Sequence, residues 1–559
     1  MHIGIDIGGT FTDAVLLDGF KIIASTKIQT ENNLSNSVKT AITQLINLTG
    51  VEAISRIVIS TTLITNFILK HKKINIALIL FPGPGADPYS QPLAGQTAVV
   101  RGSVDFRGRI IEPIDEEELA NALNAFSNAG IREVAVACKF AQRNPTIEKQ
   151  VHSFIKKIYP EMNVILSSDV HSTLNWICRA NGAVFQMHTA NIAKKFYIEL
   201  ENYFNDLSLH CPIHILKSDG GTLPLSFFQK HPLEGIFSGP AASIHGVLAM
   251  AEHETSCIVA DIGGTTVDFG LLLDGKPLVS QKNASINEYP LPIKAMETSS
   301  ISIGGDSAII VQNGMFHITQ REGPALCLGG PVLTITDILV YKGLSSLKLN
   351  AAVKEAIDIS SAECQTTPSL FADMVIEYFL DTLERTLDKL LIKWAEEPAY
   401  RVWQYLQNIS ARPDKIAFIG GPAKAMVKLW GNRKGLKSVE FQYPEIANAI
   451  GAAFSKTTLH LDFFADTQRN YYSTNLGAEQ GKLPISLNNL HEAKEYCYSI
   501  FQRNAEIRGI DANDYDTLYE ESFNIIDNWQ TCGKIFQIGM QTLPGVDSTI
   551  NKKRRSTDA

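Results

Sequence analysis

The chain has no uninterrupted apolar run of the roughly 18–20 residues that a membrane-crossing helix requires, which excludes a helical span. It has no basic excess: 50 Lys and Arg stand against 58 Asp and Glu, a formal net charge of −8. Phosphate backbones call for basic surfaces, so nucleic acid is not an expected partner. The one basic run, Lys552, Lys553, Arg554 and Arg555, reads as a solvated tail, the alternative being a peptide or nucleic-acid contact. The eight cysteines include no Cys-x-x-Cys pair, so neither a zinc nor an iron–sulfur pattern is present. Reduced thiols of a cytoplasmic protein are expected. A signal peptide is not, because Asp6 falls where its apolar stretch would have to be.

What is present is ordinary globular composition, 45% hydrophobic and 19% charged over 559 residues, too long for one core and suited to two or three domains. The organising feature is an internal repeat. Residues 3–17 read Ile-Gly-Ile-Asp-Ile-Gly-Gly-Thr-Phe-Thr-Asp-Ala-Val-Leu-Leu, and residues 258–272 read Ile-Val-Ala-Asp-Ile-Gly-Gly-Thr-Thr-Val-Asp-Phe-Gly-Leu-Leu. Asp6, Gly8, Gly9, Thr10 and Asp13 thus align with Asp261, Gly263, Gly264, Thr265 and Asp268. Each copy predicts a buried β-branched strand, a tight glycine turn and a returning strand. Without side chains at the turn, backbone N–H groups and the Thr hydroxyl can approach phosphate oxygens. Asp6 and Asp261, at the strand ends, would hold Mg²⁺ (or Mn²⁺) mostly through water. One copy alone would read as well as a plain hairpin; the repetition, acid first each time, points to phosphate.

The pair resembles the two phosphate loops of the actin, heat-shock chaperone and sugar-kinase superfamily. That resemblance implies an α/β, two-lobe actin-like ATPase (ribonuclease H-like) fold, with ATP in the cleft. A third element of that fold is a Gly-Gly turn at the adenosine, for which Gly420, Gly421 and Pro422 are the candidates, followed by a small-residue helix at 447–453. Residues 1–254 are expected to form the first lobe, 255–456 the second, and 457–559 a small C-terminal α+β domain with the basic tail. Alternation of helix and strand is expected through 34–80. Residues 82–113, rich in Pro, Gly and charge, read as an insertion over the cleft. Helices are expected at 116–128, 146–158 and 489–508, and strands at 133–138, 522–526 and 534–542. Ser238 is expected to cap a helix that crosses between the lobes.

The intervening motifs resemble the hydantoinase A/5-oxoprolinase family, whose members couple ATP hydrolysis to opening of a five-membered cyclic amide. The resemblance rests on 6–13, on Thr61-Thr62-Leu63-Ile64-Thr65-Asn66, on Gly102-Ser103-Val104-Asp105-Phe106-Arg107-Gly108 and on Asn144-Pro145. It continues through Ser218-Asp219-Gly220-Gly221, Ser238-Gly239-Pro240-Ala241-Ala242 and Thr334-Ile335-Thr336-Asp337 to Glu521-Ser522-Phe523-Asn524 and Gly533-Lys534-Ile535, nearly the whole chain. The N-terminal region of the family would extend to about residue 180. Two second-lobe motifs depart from the family: its Gly-Ala-Gly-Gly-Gly-Ser is Ser302-Ile303-Gly304-Gly305-Asp306-Ser307 here, and its Pro-Gly-Pro-Ala-Cys-Tyr-Gly is Glu322 to Leu328.

The resemblance implies ATP-dependent phosphorylation of a lactam or imide carbonyl oxygen, after which water attacks the carbon. Phosphate contacts fall to Gly8, Gly9, Thr10, Thr12, Gly263, Gly264, Thr265 and Thr266, and catalysis and metal binding to Asp6 and Asp261. Substrate candidates are Asn66 and Thr62, with Asp105 and Arg107 as catalytic side chains. Arg107 would hold a carboxylate or imide oxygen bidentately and Asp105 would receive a ring N–H or act as base. The same pair would serve as a surface ion pair on a loop, and Asn66 as a helix-cap partner. Asp13 and Asp268 are expected to bond within their hairpins, His245 to pack between lobes, and Cys327 to be an ordinary thiol. A B-type hydantoinase subunit and homo- or hetero-oligomers are implied partners. An acetone-carboxylase-like subunit and a non-catalytic nucleotide switch are the alternative functions.

Overall fold

The computed structural model describes residues 1–251, 255–280, 283–396, 413–476, 479–527 and 529–547; the basic run at 552–555 lies outside them. Among the described residues no helix is long and apolar enough to cross a membrane.

The two repeats build two sheets of the same plan. In the first, His2–Ile7 pairs antiparallel with Phe11–Asp18, which pairs with Lys21–Gln29. On its other side His2–Ile7 runs parallel to Arg56–Thr61, and that strand parallel to Ile213–Leu216. In the second, Cys257–Ile262 pairs antiparallel with Val267–Leu273 and parallel with Lys415–Gly420. The register repeats as well: Asp6 stands opposite Asp13, and Asp261 opposite Asp268. Ile3, Ile5 and Ile7 are wholly buried, as are Ile258, Ala260 and Ile262, because helices cover both faces of strands built from such residues.

Residues 77–166 form a separate unit. Asn163–Leu166, Glu133–Cys138, Ala77–Phe81 and Gln96–Val99 make a parallel four-stranded sheet with its own apolar core. The stretch 82–113 is therefore not simply an insertion over the cleft. Its β-prone Gln96–Val99 completes the edge of this sheet, and Ser103–Val104 folds back on Ile110–Glu112 as a short ribbon. The high Pro and Gly content belongs to the turns between these strands.

Ser238–Met250 crosses from the first sheet toward the second and packs along Ala447–Phe454. Glycine permits this closeness. A Cβ on Gly246 would lie 2.2 Å from the Ala447 carbonyl oxygen, and one on Gly451 would lie 2.1 Å from that of Ala242. Gly4 in the first strand meets the Ala449 carbonyl in the same way, at 2.0 Å. Ser238 is not the N-cap of its helix. Phe237 takes that position in the left-handed region (φ 59°), and the Ser238 hydroxyl instead donates to the Thr61 carbonyl and accepts the Thr61 N–H. The end of a neighbouring strand outcompetes the helix for the hydroxyl.

The C-terminal region is an antiparallel sheet in the order Gln480–Lys482, Tyr471–Thr474, His460–Asp466, Gln530–Thr542, Tyr515–Asp527. Leu490–Ile507, capped by Asn489, buries Ala493, Cys497, Ile500 and Phe501 against it.

Because the two helix backbones touch, Gly451→Ala is expected to force them apart and to cost about 1–3 kcal/mol of stability. A lowered denaturant midpoint is the expected readout.

Candidate functional site

The fold brings the two repeat acids together. Asp6 and Asp261 are each 9% exposed, and a single side chain spans them. The Asn448 amide nitrogen donates to Asp6 Oδ2 at 3.3 Å and to Asp261 Oδ2 at 2.9 Å. Ser243 Oγ donates to the same Asp261 oxygen at 2.6 Å. Ser243 and Asn448 come from the two touching helices, so the helix contact sets the separation of the lobes' acids. Burial pushes the Asp6 carboxyl up to about 7, against a hydrogen bond from Ser60, with the charges of Asp13 and Asp261 adding to the rise.

Each glycine turn closes on the same hydrogen bond: Gly8 N–H to the Phe11 carbonyl and Gly263 N–H to the Thr266 carbonyl, both 3.0 Å. Gly9, Gly263 and Thr265 are exposed, and Gly8, Thr10, Gly264 and Thr266 half-buried, so both turns open to a ligand. Thr12 does not belong with them. It is wholly buried, and its hydroxyl bonds Thr30 Oγ1 at 3.0 Å, which in turn donates to the Gly8 carbonyl at 3.0 Å. Thr12 thus braces the turn instead of reaching a phosphate.

The second turn is buttressed by two others. Gly420 has φ +89°, and a Cβ there would sit 2.4 Å from the Ile262 carbonyl and 3.0 Å from Asp261 Oδ1, which brings the Gly420-Gly421-Pro422 turn against the hairpin. Gly305 and Asp306 donate their N–H groups to the carbonyls of Gly263 and Gly264 at 2.9 and 2.8 Å. The altered residue Asp306 therefore holds a carboxylate beside Gly264, ion-paired to Arg321 at 3.4 Å. Burial raises its carboxyl, and Arg321 opposes the rise.

Asp13 is held by Lys27 at 2.9 Å. Asp268 accepts from Ser300 and from Thr266, and burial pushes it up to about 6. Thr62 Oγ1 donates to the Ile7 carbonyl at 3.2 Å and accepts the Asn66 amide at 3.0 Å, so both lie by the end of the Asp6 strand, with Asn66 in the role of cap partner.

Asp105 and Arg107 are arranged differently from the expectation. Asp105 pairs with Arg109 at 2.7 Å and accepts the N–H groups of Arg107 and Arg109 at 2.9 and 2.8 Å. Those two bonds fold the ribbon turn so that Arg109, across from Asp105, takes the ion pair. Arg107 is exposed, with its guanidinium over the Phe106 ring. The pair belongs to the four-stranded unit and makes no contact with the acids.

His245 is wholly buried with Nδ1 on Ser455 Oγ at 2.7 Å, and burial pushes it down to about 4. Burial, reinforced by Asp337, pushes the Cys327 thiol up to about 12, which leaves it unreactive at neutral pH. Sequence reasoning missed Asn448 and Ser243. The signal was a lone amide in the otherwise apolar Ala447–Phe454 helix.

A divalent cation suits this geometry. Two buried carboxylates are bridged by one amide, and burial, with the charges of Asp13 and Asp261 adding, raises the proton affinity of Asp6. Among the described residues no three His, Cys, Asp or Glu side chains converge as a metal cage. Two hard oxygen donors with room for water and phosphate match Mg²⁺, which keeps much of its hydration.

The sequence profile of the hydantoinase/oxoprolinase N-terminal region matches residues 2–159, and that of hydantoinase/oxoprolinase matches residues 179–460. Caprolactamase subunit alpha of Pseudomonas jessenii is 21% identical over 372 residues, 60% of this chain and 53% of that protein. The acetophenone carboxylase gamma subunit of Aromatoleum aromaticum is 25% identical over 441 residues, 68% of this chain and 59% of that protein. The chain thus spans little more than half the length of these relatives. A nucleotide-free acetone carboxylase structure superposes with a TM-score of 0.70 at 16% identity, covering 98% of this chain and 88% of that one. The shared fold is the two-lobe, mixed α/β actin-like ATPase fold.

With no divalent cation added, the folded chain keeps the Asp6 proton up to about pH 7, whereas the unfolded chain loses it around the ordinary aspartate value of 3.8. Stability is therefore expected to fall as the pH rises through that window and to level off above it. Asp6→Asn should flatten the slope in urea unfolding measured across the window.

Proposed function

The chain belongs to the hydantoinase/oxoprolinase family, and from that membership we propose that it couples ATP hydrolysis to the opening of a five-membered lactam or imide ring. The observation that carries the reading is the Asn448 bridge between the acids of the two glycine turns. It is the arrangement a metal-bound triphosphate needs if each lobe is to supply one turn.

In this reading the N–H groups around Gly8, Gly9 and Thr10, and around Gly263, Gly264, Thr265 and Thr266, hold phosphate oxygens as charge builds on the γ-phosphoryl group. Asp6 and Asp261 hold Mg²⁺ or Mn²⁺, largely through water, and the ion when bound neutralises phosphate charge. Asn448 and Ser243 keep the two carboxylates at a fixed separation, and Gly420, Gly421 and Pro422 lie at the adenosine. The substrate's carbonyl oxygen attacks the γ-phosphorus, and the bond to the ADP oxygen breaks. Water adds to the carbonyl carbon, the C–N bond breaks as the ring nitrogen takes a proton, and an acyl phosphate remains. A second water releases phosphate and the carboxylate. Asp105, committed to Arg109, and Arg107, exposed on the ribbon, are left out of this scheme; Thr62 and Asn66, beside the first turn, are kept as substrate-side groups.

A second reading is an ATP-using subunit of a ketone carboxylase. It is favoured by the likeness to the acetophenone carboxylase gamma subunit. Both relatives are named as subunits, and we infer that this chain too works with a B-type partner.

Phosphate release, measured with hydantoin, 5-oxoproline, or a ketone with bicarbonate, tests these readings with and without a co-expressed partner. Stimulation by a cyclic amide is expected, and Asp6→Ala, Asp261→Ala or Asn448→Ala should lower it by about 100-fold or more. Stimulation by ketone and bicarbonate alone would transfer the case to the carboxylase. Tight ATP uptake that no compound stimulates would indicate a nucleotide-switched binding protein.

A further inference from the structure

The second glycine turn differs from the first in having a carboxylate packed against it. Residues 304–306 run along the carbonyl side of that turn. Gly305 and Asp306 donate to the carbonyls of Gly263 and Gly264, and a Cβ on Gly304 would lie 2.7 Å from the Gly263 carbonyl oxygen. Thr336 holds the segment in place, its N–H and its hydroxyl both donating to the Gly305 carbonyl, at 2.7 and 2.9 Å. Gly305 also abuts the third turn, since a Cβ there would be 3.3 Å from Cγ of Pro422. One short segment thus braces both the hairpin turn and the turn at 420–422, and its backbone bonds fix where Asp306 stands. A Cβ on Gly264 would meet the Asp306 Oδ2 atom at 2.6 Å.

This carboxylate is short of partners. Asp306 is 7% exposed, and an ionised carboxylate can accept about four hydrogen bonds. Among the described residues its side-chain partners are Arg321 Nε on Oδ2 and Thr336 Oγ1 on Oδ1, both at 3.4 Å. Neither bond is strong. The Thr336 hydroxyl already serves Gly305, and Arg321 Nε is covered but not aligned for a hydrogen bond. Burial raises the Asp306 carboxyl, and Arg321 draws it back toward the ionised form. A negative charge fixed behind phosphate-binding N–H groups opposes anions in proportion to their charge. A divalent cation cancels roughly half the charge of a triphosphate, and its hydration shell offers donors to a carboxylate.

We propose that Asp306 determines which form of nucleotide the second turn accepts, disfavouring cation-free triphosphate and favouring its divalent complex, with Arg321 tempering the charge. This rests on the nucleotide reading of the two turns and adds a selectivity residue peculiar to this chain, because the family motif has glycine at this position. Asp306 acts on the ligand through its field and through the cation's hydration shell.

Isothermal titration calorimetry of the full chain with ATP, in excess EDTA or in magnesium chloride, tests it. The quantity read is the ratio of the cation-free to the magnesium dissociation constant. Asp306→Asn, which keeps the side chain's size, is expected to lower that ratio by about tenfold, chiefly by tightening the cation-free complex. Asp306→Gly should shift it the same way. Arg321→Gln, which strips the carboxylate of its counter-charge, should raise the ratio by about threefold or more. A general loss of folding does not give opposite signs from the two halves of one ion pair, and MgATP uptake by each variant shows that it folds. The proposal is overturned if both Asp306 variants keep the wild-type ratio, if they lower it only by weakening MgATP, or if Arg321→Gln shifts it in their direction. A wild-type chain that binds ATP in neither buffer overturns the nucleotide reading together with this proposal, whereas MgATP binding with an unaltered ratio overturns this proposal alone.

Discussion

Two acids that begin 255 positions apart in the chain meet across one amide, and the chemistry of the cleft depends on that meeting. Buried carboxylates repel, and burial favours the protonated form of Asp6. Asn448 offsets part of that cost by donating to both, and Ser243 adds a further bond to Asp261. Neither partner supplies positive charge, so the demand for a cation is left open. The glycines of the two helices matter for the same reason, since side chains at Gly246 or Gly451 would push Ser243 and Asn448 out of reach of the acids.

The symmetry is imperfect in a way that bears on chemistry. Lys27 pairs with the outer acid of the first hairpin, whereas among the described residues Asp268 is served by the hydroxyls of Thr266 and Ser300. Asp306 then places another carboxylate beside the second turn, restrained by Arg321. Negative charge therefore accumulates on the second lobe's side. A ligand entering there meets a different field from the one at the first turn, although the backbones repeat.

The repeat was legible because a glycine turn with an acid ahead of it is local: strand, turn and register all follow from a dozen adjacent residues. Helices at Glu116–Asn128 and Thr146–Ile158 and the strand Glu133–Cys138 were legible for the same reason, with the apolar spacing in the segment itself and Asp115 capping the first helix. Contacts between distant segments were not. Asn448 looked like one polar residue in a small-residue helix until the helix met both acids. Ser238 read as a cap because nothing in its neighbourhood announces the Thr61 strand end. The family motif pointed to Asp105 with Arg107, but the turn that Asp105 itself folds selects Arg109 for the ion pair. Edge pairing of Gln96–Val99 was hidden by the Pro- and Gly-rich turns around it.

The contact between Gly4 and Ala449 also has a meaning for biosynthesis. Val15 and Leu17, on the first hairpin, share an apolar cluster with Ile446, Ala449, Ile450 and Phe454. On a ribosome the hairpin emerges long before its covering helix, so this face stays open to water until that helix follows. Long-range closure of this kind is slow and exposes sticky surface meanwhile. A nascent chain of this design has reason to engage a holding chaperone until the Ala447–Phe454 helix has been made.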